Sequence, residues 1–137
     1  MKLRLHLTFP GNCEEAFEAY ARILGAKVTL MLPWGQSPAA TDVPEDWRGK
    51  IVHATLALGD SELAGADLPP DQYERPQGFT VLVSVAVYAD GKRIFDELAA
   101  GGRVQMPFQK TFWSSGFGVL IDRFGTPWEV TVDQFSG

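Results

Sequence analysis

Cysteine is almost absent. Cys13 is the one thiol in 137 residues, which excludes an internal disulfide and a cysteine-based zinc cluster and fits a reducing compartment. No Lys/Arg cluster stands out and the formal net charge is -5, so nucleic acid is not an expected partner, because phosphate binding needs a basic face. The longest nearly apolar stretch, residues 79–87, falls far short of the ~20 residues that span a bilayer. No membrane partner is expected. The first residues, Met1-Lys2-Leu3-Arg4-Leu5-His6, carry charges with no long apolar segment behind them and no small-residue cleavage site. A cytoplasmic location is the expectation.

What the chain does have is core-forming material. Its residues are 45% apolar, 12% aromatic and 21% charged, the profile of a globular protein, at a length that suits one domain or two small fused modules. Residues 3–9 alternate Leu-Arg-Leu-His-Leu-Thr-Phe, the period of a half-buried strand. Pro10-Gly11 breaks it. Asn12 then reads as a helix N-cap, with Glu14 and Glu15 in the first turn where the helix dipole favours anions. Ala16, Phe17, Tyr20, Ile23 and Leu24 follow at helical spacing, and Gly25 is a good stop. Residues 26–32, 49–58 and 61–66 read as strands, the last two joined by a tight hairpin at Gly59-Asp60. Residues 33–48 form a long loop rich in Pro, Ser, Asp and Gly.

After a proline-rich linker at 68–78, the same order returns. Residues 79–87 predict a strand and 90–100 a helix with Ile94, Phe95 and Leu98 on one face. Strands follow at 103–106, ended by Pro107, at 117–121 and at 126–132. Both halves read strand, helix, strand, strand, strand. Trp47 and Trp113 lie 66 residues apart, as do Gly59 and Gly125, and Asp67 and Asp133; a fixed offset of this kind is the mark of internal duplication. A single domain spanning 1–137 is therefore expected, made of module 1–67 and module 79–135. The fold class is α+β, two tandem βαβββ modules whose curled sheets surround a cleft, each with its helix on the outer face.

This arrangement, with Phe9-Pro10-Gly11-Asn12, Glu15-Ala16-Phe17, Ile51-Val52-His53-Ala54, Gly101-Gly102-Arg103-Val104-Gln105-Met106-Pro107, Thr111-Phe112-Trp113 and Asp122-Arg123-Phe124-Gly125 before Trp128, resembles the PhnB-like family of the vicinal oxygen chelate superfamily. That superfamily includes glyoxalase I, bleomycin-resistance proteins and extradiol dioxygenases. The resemblance implies that metal-using members take ligands from the first and last strand of each module. Carried onto this chain by the helix and the 66-residue offset, those positions fall at Leu5, at Leu63, near Val83 or Ser84, and at Glu129. Only Glu129 is a donor, and a transition metal normally takes three or four.

His6 stands one residue from the first of these positions, and a one-residue shift turns a strand side chain to the other face. It reads either as a metal ligand beside Glu129 or as a histidine facing solvent or the helix. His53 shares a strand face with Ile51 and Thr55, and reads as a general base, a ligand or a hydrogen-bonded core group. Glu129, beside Trp128, is a base or ligand if it faces the cleft and a surface carboxylate if it does not. These two are the candidate catalytic residues. Trp34, Gln109, Thr111 and Trp113 are the candidate ligand-binding residues, because loops on a rigid scaffold hold binding groups and indole rings stack on flat molecules. Phe108 and Trp47 have the same potential. Cys13 has no neighbouring base and reads as structural. Gly116-Phe117-Gly118 lacks the third glycine and the helix of a phosphate loop, and no glycine-rich turn suits S-adenosylmethionine, so a methyltransferase label attached to relatives does not carry over.

Two functions follow from this reading. One is a small-molecule-binding protein with an aromatic-lined cleft, an incomplete metal site and no cofactor. The other is a metal-dependent lyase, isomerase or dioxygenase that uses a divalent metal on a reduced ligand set. In either case a homodimer is expected.

Overall fold

The computed structural model describes residues 1–133. The chain divides into two compact units, Met1–Glu74 and Arg75–Gly137. In the first, β1 (Leu5–Phe9) leads to α1 (Cys13–Leu24), then β2 (Lys27–Pro33), three short 3-10 turns, β3 (Ile51–Leu58) and β4 (Ser61–Asp67). The sheet order is β1-β4-β3-β2, with β1 and β4 parallel and the other pairs antiparallel. Leu3 lies outside the strand and is exposed. The helix buries Ala16, Phe17, Tyr20 and Ile23 and ends at Gly25, whose φ of 68° is left-handed, a conformation glycine adopts without strain.

Asn12 does not cap this helix with its side chain. The cap comes from a distance. Asp67, 1% exposed, accepts hydrogen bonds from the Gly11 N–H (3.1 Å), the Cys13 N–H (2.9 Å) and the Ile51 N–H (2.8 Å). One carboxylate at the end of β4 thus satisfies donors at the helix start and at the start of β3, as buried amides require.

The second unit has β5 (Val81–Val85), α2 (Tyr88–Ala99), β6 (Arg103–Gln109), β7 (Phe117–Ile121) and β8 (Pro127–Val132), in the order β5-β8-β7-β6. This is the strand order of the first unit repeated, and the two form tandem βαβββ modules of the α+β class. The helix begins earlier than its polar first turn suggests. More consequential, β6 runs through Pro107 to Gln109, so Gln109 belongs to a strand and not to a loop. Pro107 is tolerated because β6 is an edge strand with an irregular register beyond Met106. Beneath α2 lie Trp128, Val130 and Leu120, all 0% exposed. The Trp128 indole N–H donates to Asp122 Oδ2 at 2.8 Å, and Asp122 Oδ1 accepts from the N–H groups of Phe124 and Thr126. Phe108 packs here too, its ring 5.5 Å from Phe95 and 5.4 Å from Tyr88. It is half-buried there, between these two rings of α2.

The fixed 66-residue offset does not survive to the last strand. Gly59-Asp60 joins β3 to β4, but residues 122–126 join β7 to β8. The matching backbone bonds are Leu68 N–H to Phe9 O (2.8 Å) and Asp133 N–H to Val85 O (2.7 Å). By these bonds Glu129 corresponds to Ala64 rather than Leu63, His6 to Leu82, and Leu5 to Val81 rather than to Val83 or Ser84. Asp133 is exposed whereas Asp67 is buried. No helix among the described residues is long and apolar enough to cross a membrane.

Candidate functional site

Each sheet has one face under its helix and one turned away from it. In the first unit, Leu5, Leu7 and Phe9 pair with Leu63, Gly65 and Asp67. These face α1: the Phe9 and Phe17 rings meet edge to face at 6.0 Å, and a Cβ on Gly65 would lie 2.7 Å from the Phe17 ring. His6 and Thr8, paired with Ala64 and Ala66, take the opposite face. Thr55 pairs with Ala64, and His53 pairs with Leu32 two residues along from Thr55, so His53 joins His6 on that face. Both histidines of the chain therefore stand on one surface, either side of a central strand of small residues. His6 is exposed overall. The surrounding chain still strips enough water from the ring to hold its pKa below the usual 6.5, and the neighbouring His53 imidazole adds to the lowering. Leu5 and Leu63, the positions expected for ligands, point under the helix, and His6 reaches the open face with no shift of register.

In the second unit the face turned from α2 carries three rows. Gln109 pairs with Phe117, which pairs with Thr131. Met106 pairs with Val119, Val119 with Glu129 and Glu129 with Leu82. Arg103 pairs with Ile121. Glu129 is half-buried and has no hydrogen bond or ion pair among the described residues. Phe117 contacts Trp113 at 5.2 Å and 70°, and Trp113 contacts Phe112 at 4.6 Å and 81°, the edge-to-face geometry aromatic quadrupoles favour. Trp113 is 41% exposed and Phe112 93%.

The loop that presents these rings is built by two hydroxyls. Thr111 Oγ1 accepts from the N–H of Ser114 (3.1 Å) and of Trp113 (3.4 Å). Ser114, 1% exposed, accepts from the N–H groups of Gly116 and Val132 and lies 2.7 Å from the carbonyls of both. Thr111 thus shapes the turn, and Ser114, which the sequence reading passed over, pins it to β8. The Thr-x-x-Ser spacing was the available signal.

The remaining candidates lie elsewhere. Trp34 opens the first 3-10 turn of the first unit, its N–H donating to Lys50 O at 2.8 Å, while its indole N–H is buried without an acceptor among the described residues. A depression of about 410 Å³ opens at the start of α1, but Asp67 there is committed to three amides and Lys50 donates to Gly11 O at 3.0 Å. Cys13 is fully buried, and burial, with Asp67 and Glu14 nearby, pushes its thiol far up, so the helix start does not activate it.

Residues 5–130 match the family model of the Glyoxalase/Bleomycin resistance protein/Dioxygenase superfamily. The chain belongs to that superfamily. It is 36% identical to Protein YjdN of Escherichia coli (strain K12), over 96% of this chain and 95% of that protein. The crystal structure of protein PA1353 from Pseudomonas aeruginosa superposes with a TM-score of 0.86 at 41% identity, covering 96% of this chain and 98% of the other. A Bacillus cereus PhnB protein, described as a putative 3-demethylubiquinone-9 3-methyltransferase, superposes at 0.81 with 23% identity over 96% and 99% of the two chains; that likeness concerns the fold.

The metal that this superfamily implies finds a poor donor set here. The positions expected in the first sheet are Leu5 and Leu63; on the faces turned from the helices His6 stands beside Ala64 and Glu129 beside Leu82. Each sheet offers one donor and one hydrocarbon, and no group of three or more His, Cys, Asp or Glu gathers among the described residues. The residues present do not fit a transition metal.

Proposed function

We propose that this member of the glyoxalase and bleomycin-resistance superfamily binds a small organic molecule, without a resident metal, on the face of the second sheet turned from its helix. The observation that carries the reading is the aromatic chain Phe112–Trp113–Phe117, whose last ring lies on the open face of the second sheet diagonally from Glu129. Exposed aromatic rings held by a rigid turn give a planar ligand contact area at little entropic cost. Gln109, on the same face, offers an amide for orientation. A thermal-shift screen of planar organic molecules tests this. Hits that stabilise the protein, and lose their effect in Trp113→Ala, are the expected outcome, since a ligand that binds only the folded state raises its melting temperature. A screen with no hit, or hits indifferent to Trp113, overturns it.

A second reading is a metal-dependent lyase, isomerase or dioxygenase. It rests on Glu129, at a strand position the resemblance implies for a ligand, and on His6, one residue from another and on the sheet face turned from α1. Metal analysis of untagged protein, followed by addition of Zn, Ni, Mn and Fe, separates the two. About one tightly held metal per chain or per dimer, lost in Glu129→Gln, favours the enzyme; protein that stays folded and ignores added metal favours the binding protein. In both readings the molecule is a homodimer.

A further inference from the structure

Glu129 poses an electrostatic problem for any ligand on the second sheet. It is half-buried, it has no hydrogen bond or ion pair among the described residues, and its strand neighbours Leu82 and Val119 are hydrocarbon. Arg103, on β6 opposite Ile121, lies on the same face and makes no ion pair with it among the described residues. A ligand settling here takes more water from the carboxylate. If that ligand is anionic, repulsion is added to desolvation. If it is neutral and apolar, a charge is left buried without a partner, which is strongly unfavourable. A bare metal ion finds too few donors. A positively charged organic group resolves all of these at once.

The neighbouring rings favour the same choice. Phe117 sits diagonally from Glu129 across β7 and β8, a spacing within reach of aromatic and long side chains. Trp113 contacts Phe117, and Phe112 contacts Trp113. Ring faces attract cations through their quadrupoles, tryptophan most strongly, and more so when water is excluded. A carboxylate beside a cluster of rings, in a chain of net charge -5, is complementary to a cation both nearby and at long range.

We infer that the face of the second sheet turned from α2 selects an organic cation, an amine or quaternary ammonium carried on a planar ring, with Glu129 as its counter-charge and Phe117 and Trp113 as its walls. The inference rests on the small-molecule reading above and narrows it to a chemical class.

The test uses a matched set of probes at neutral pH: N-methylquinolinium, its uncharged relative quinoline, and quinoline-4-carboxylate. Binding to the full chain is followed by quenching of tryptophan fluorescence and, independently of any tryptophan signal, by the rise in melting temperature, up to about 10 mM, the range a fragment of this size reaches. The cation is expected to bind about tenfold tighter than quinoline, and the carboxylate not at all. Glu129→Gln is expected to erase the preference, weakening the cation and strengthening quinoline, because the unpaired charge is gone. Should that variant fold poorly, the native chain still decides the matter, because binding of the cation must weaken with added salt while that of quinoline does not. Equal binding of cation and quinoline, with no salt dependence, overturns the inference and leaves the small-molecule reading standing. Failure of all three probes, together with an empty thermal-shift screen, overturns both.

Discussion

The two histidines offer the most direct check at the level of single residues. No other imidazole exists in the chain, so two ring resonances report the surface directly in an NMR titration. His6 is expected to titrate below 6.5. In His53→Asn its pKa is expected to rise toward that value, because the repelling neighbour is gone while burial remains. The consequence for stability has a definite sign. As pH falls through 6.5, the unfolded chain takes up the His6 proton before the folded one does. Stability is therefore lost between 6.5 and the folded pKa, and the loss is complete below it. Urea midpoints at pH 7.5 and pH 5 should differ less in His6→Gln than in the native protein. An unchanged difference between the two proteins would refute the assignment. The same residue shows what alternation along one strand can reveal: Leu5, Leu7 and Phe9 against His6 and Thr8 were sorted to opposite faces by period alone. Which of the two faces a ligand would meet was hidden, because it depends on where the helix packs.

At the level of elements, the helix-to-sheet contacts are made close by glycine. A Cβ on Gly118 would come within 2.6 Å of the Phe95 ring, with the Met106 carbonyl at 3.1 Å behind it. Gly118→Ala should therefore cost about 1–3 kcal/mol in denaturant unfolding. Combined with Phe95→Leu, which removes the ring, the loss should be smaller than the sum of the two single losses, since contacting residues do not behave additively. Additive losses would show that α2 does not press on β7 in this way. Strand and helix order was readable throughout, because alternation and helical spacing are local signals. The extent of β6 was not. Pro107 reads as a strand end until one knows that β6 lies at the sheet edge, which is a tertiary fact. The cap of α1 was likewise invisible, because Asp67 reaches it from the far end of the module, and Asn12 was the nearer and conventional choice. The position matching Glu129 was misplaced by one residue because residues 122–126 form a longer connection than Gly59-Asp60, and a constant offset cannot absorb that difference.

At the scale of the molecule, each sheet ends in strands with unpaired edges: β1 and β2 in the first, β5 and β6 in the second. β6 also exposes Val104 and Met106, 47% and 40% accessible. Unpaired edges and apolar surface of this kind are ordinarily covered, and a twofold dimer is the simplest cover. Light scattering should give twice the chain mass; a mass near one chain would refute the dimer. The two units also hold separate cores, one around Phe9, Phe17 and Tyr20 and the other around Trp128, Leu120 and Val130, which bears on how the molecule breathes. The amides of Gly11, Cys13 and Ile51 come from two stretches of chain nearly 40 residues apart, yet all end on the carboxylate of Asp67. Solvent deuterium can reach none of them until that one side chain lets go. Their exchange rates should converge on a common value, a clock for the opening of the first half alone, whatever the second half is doing.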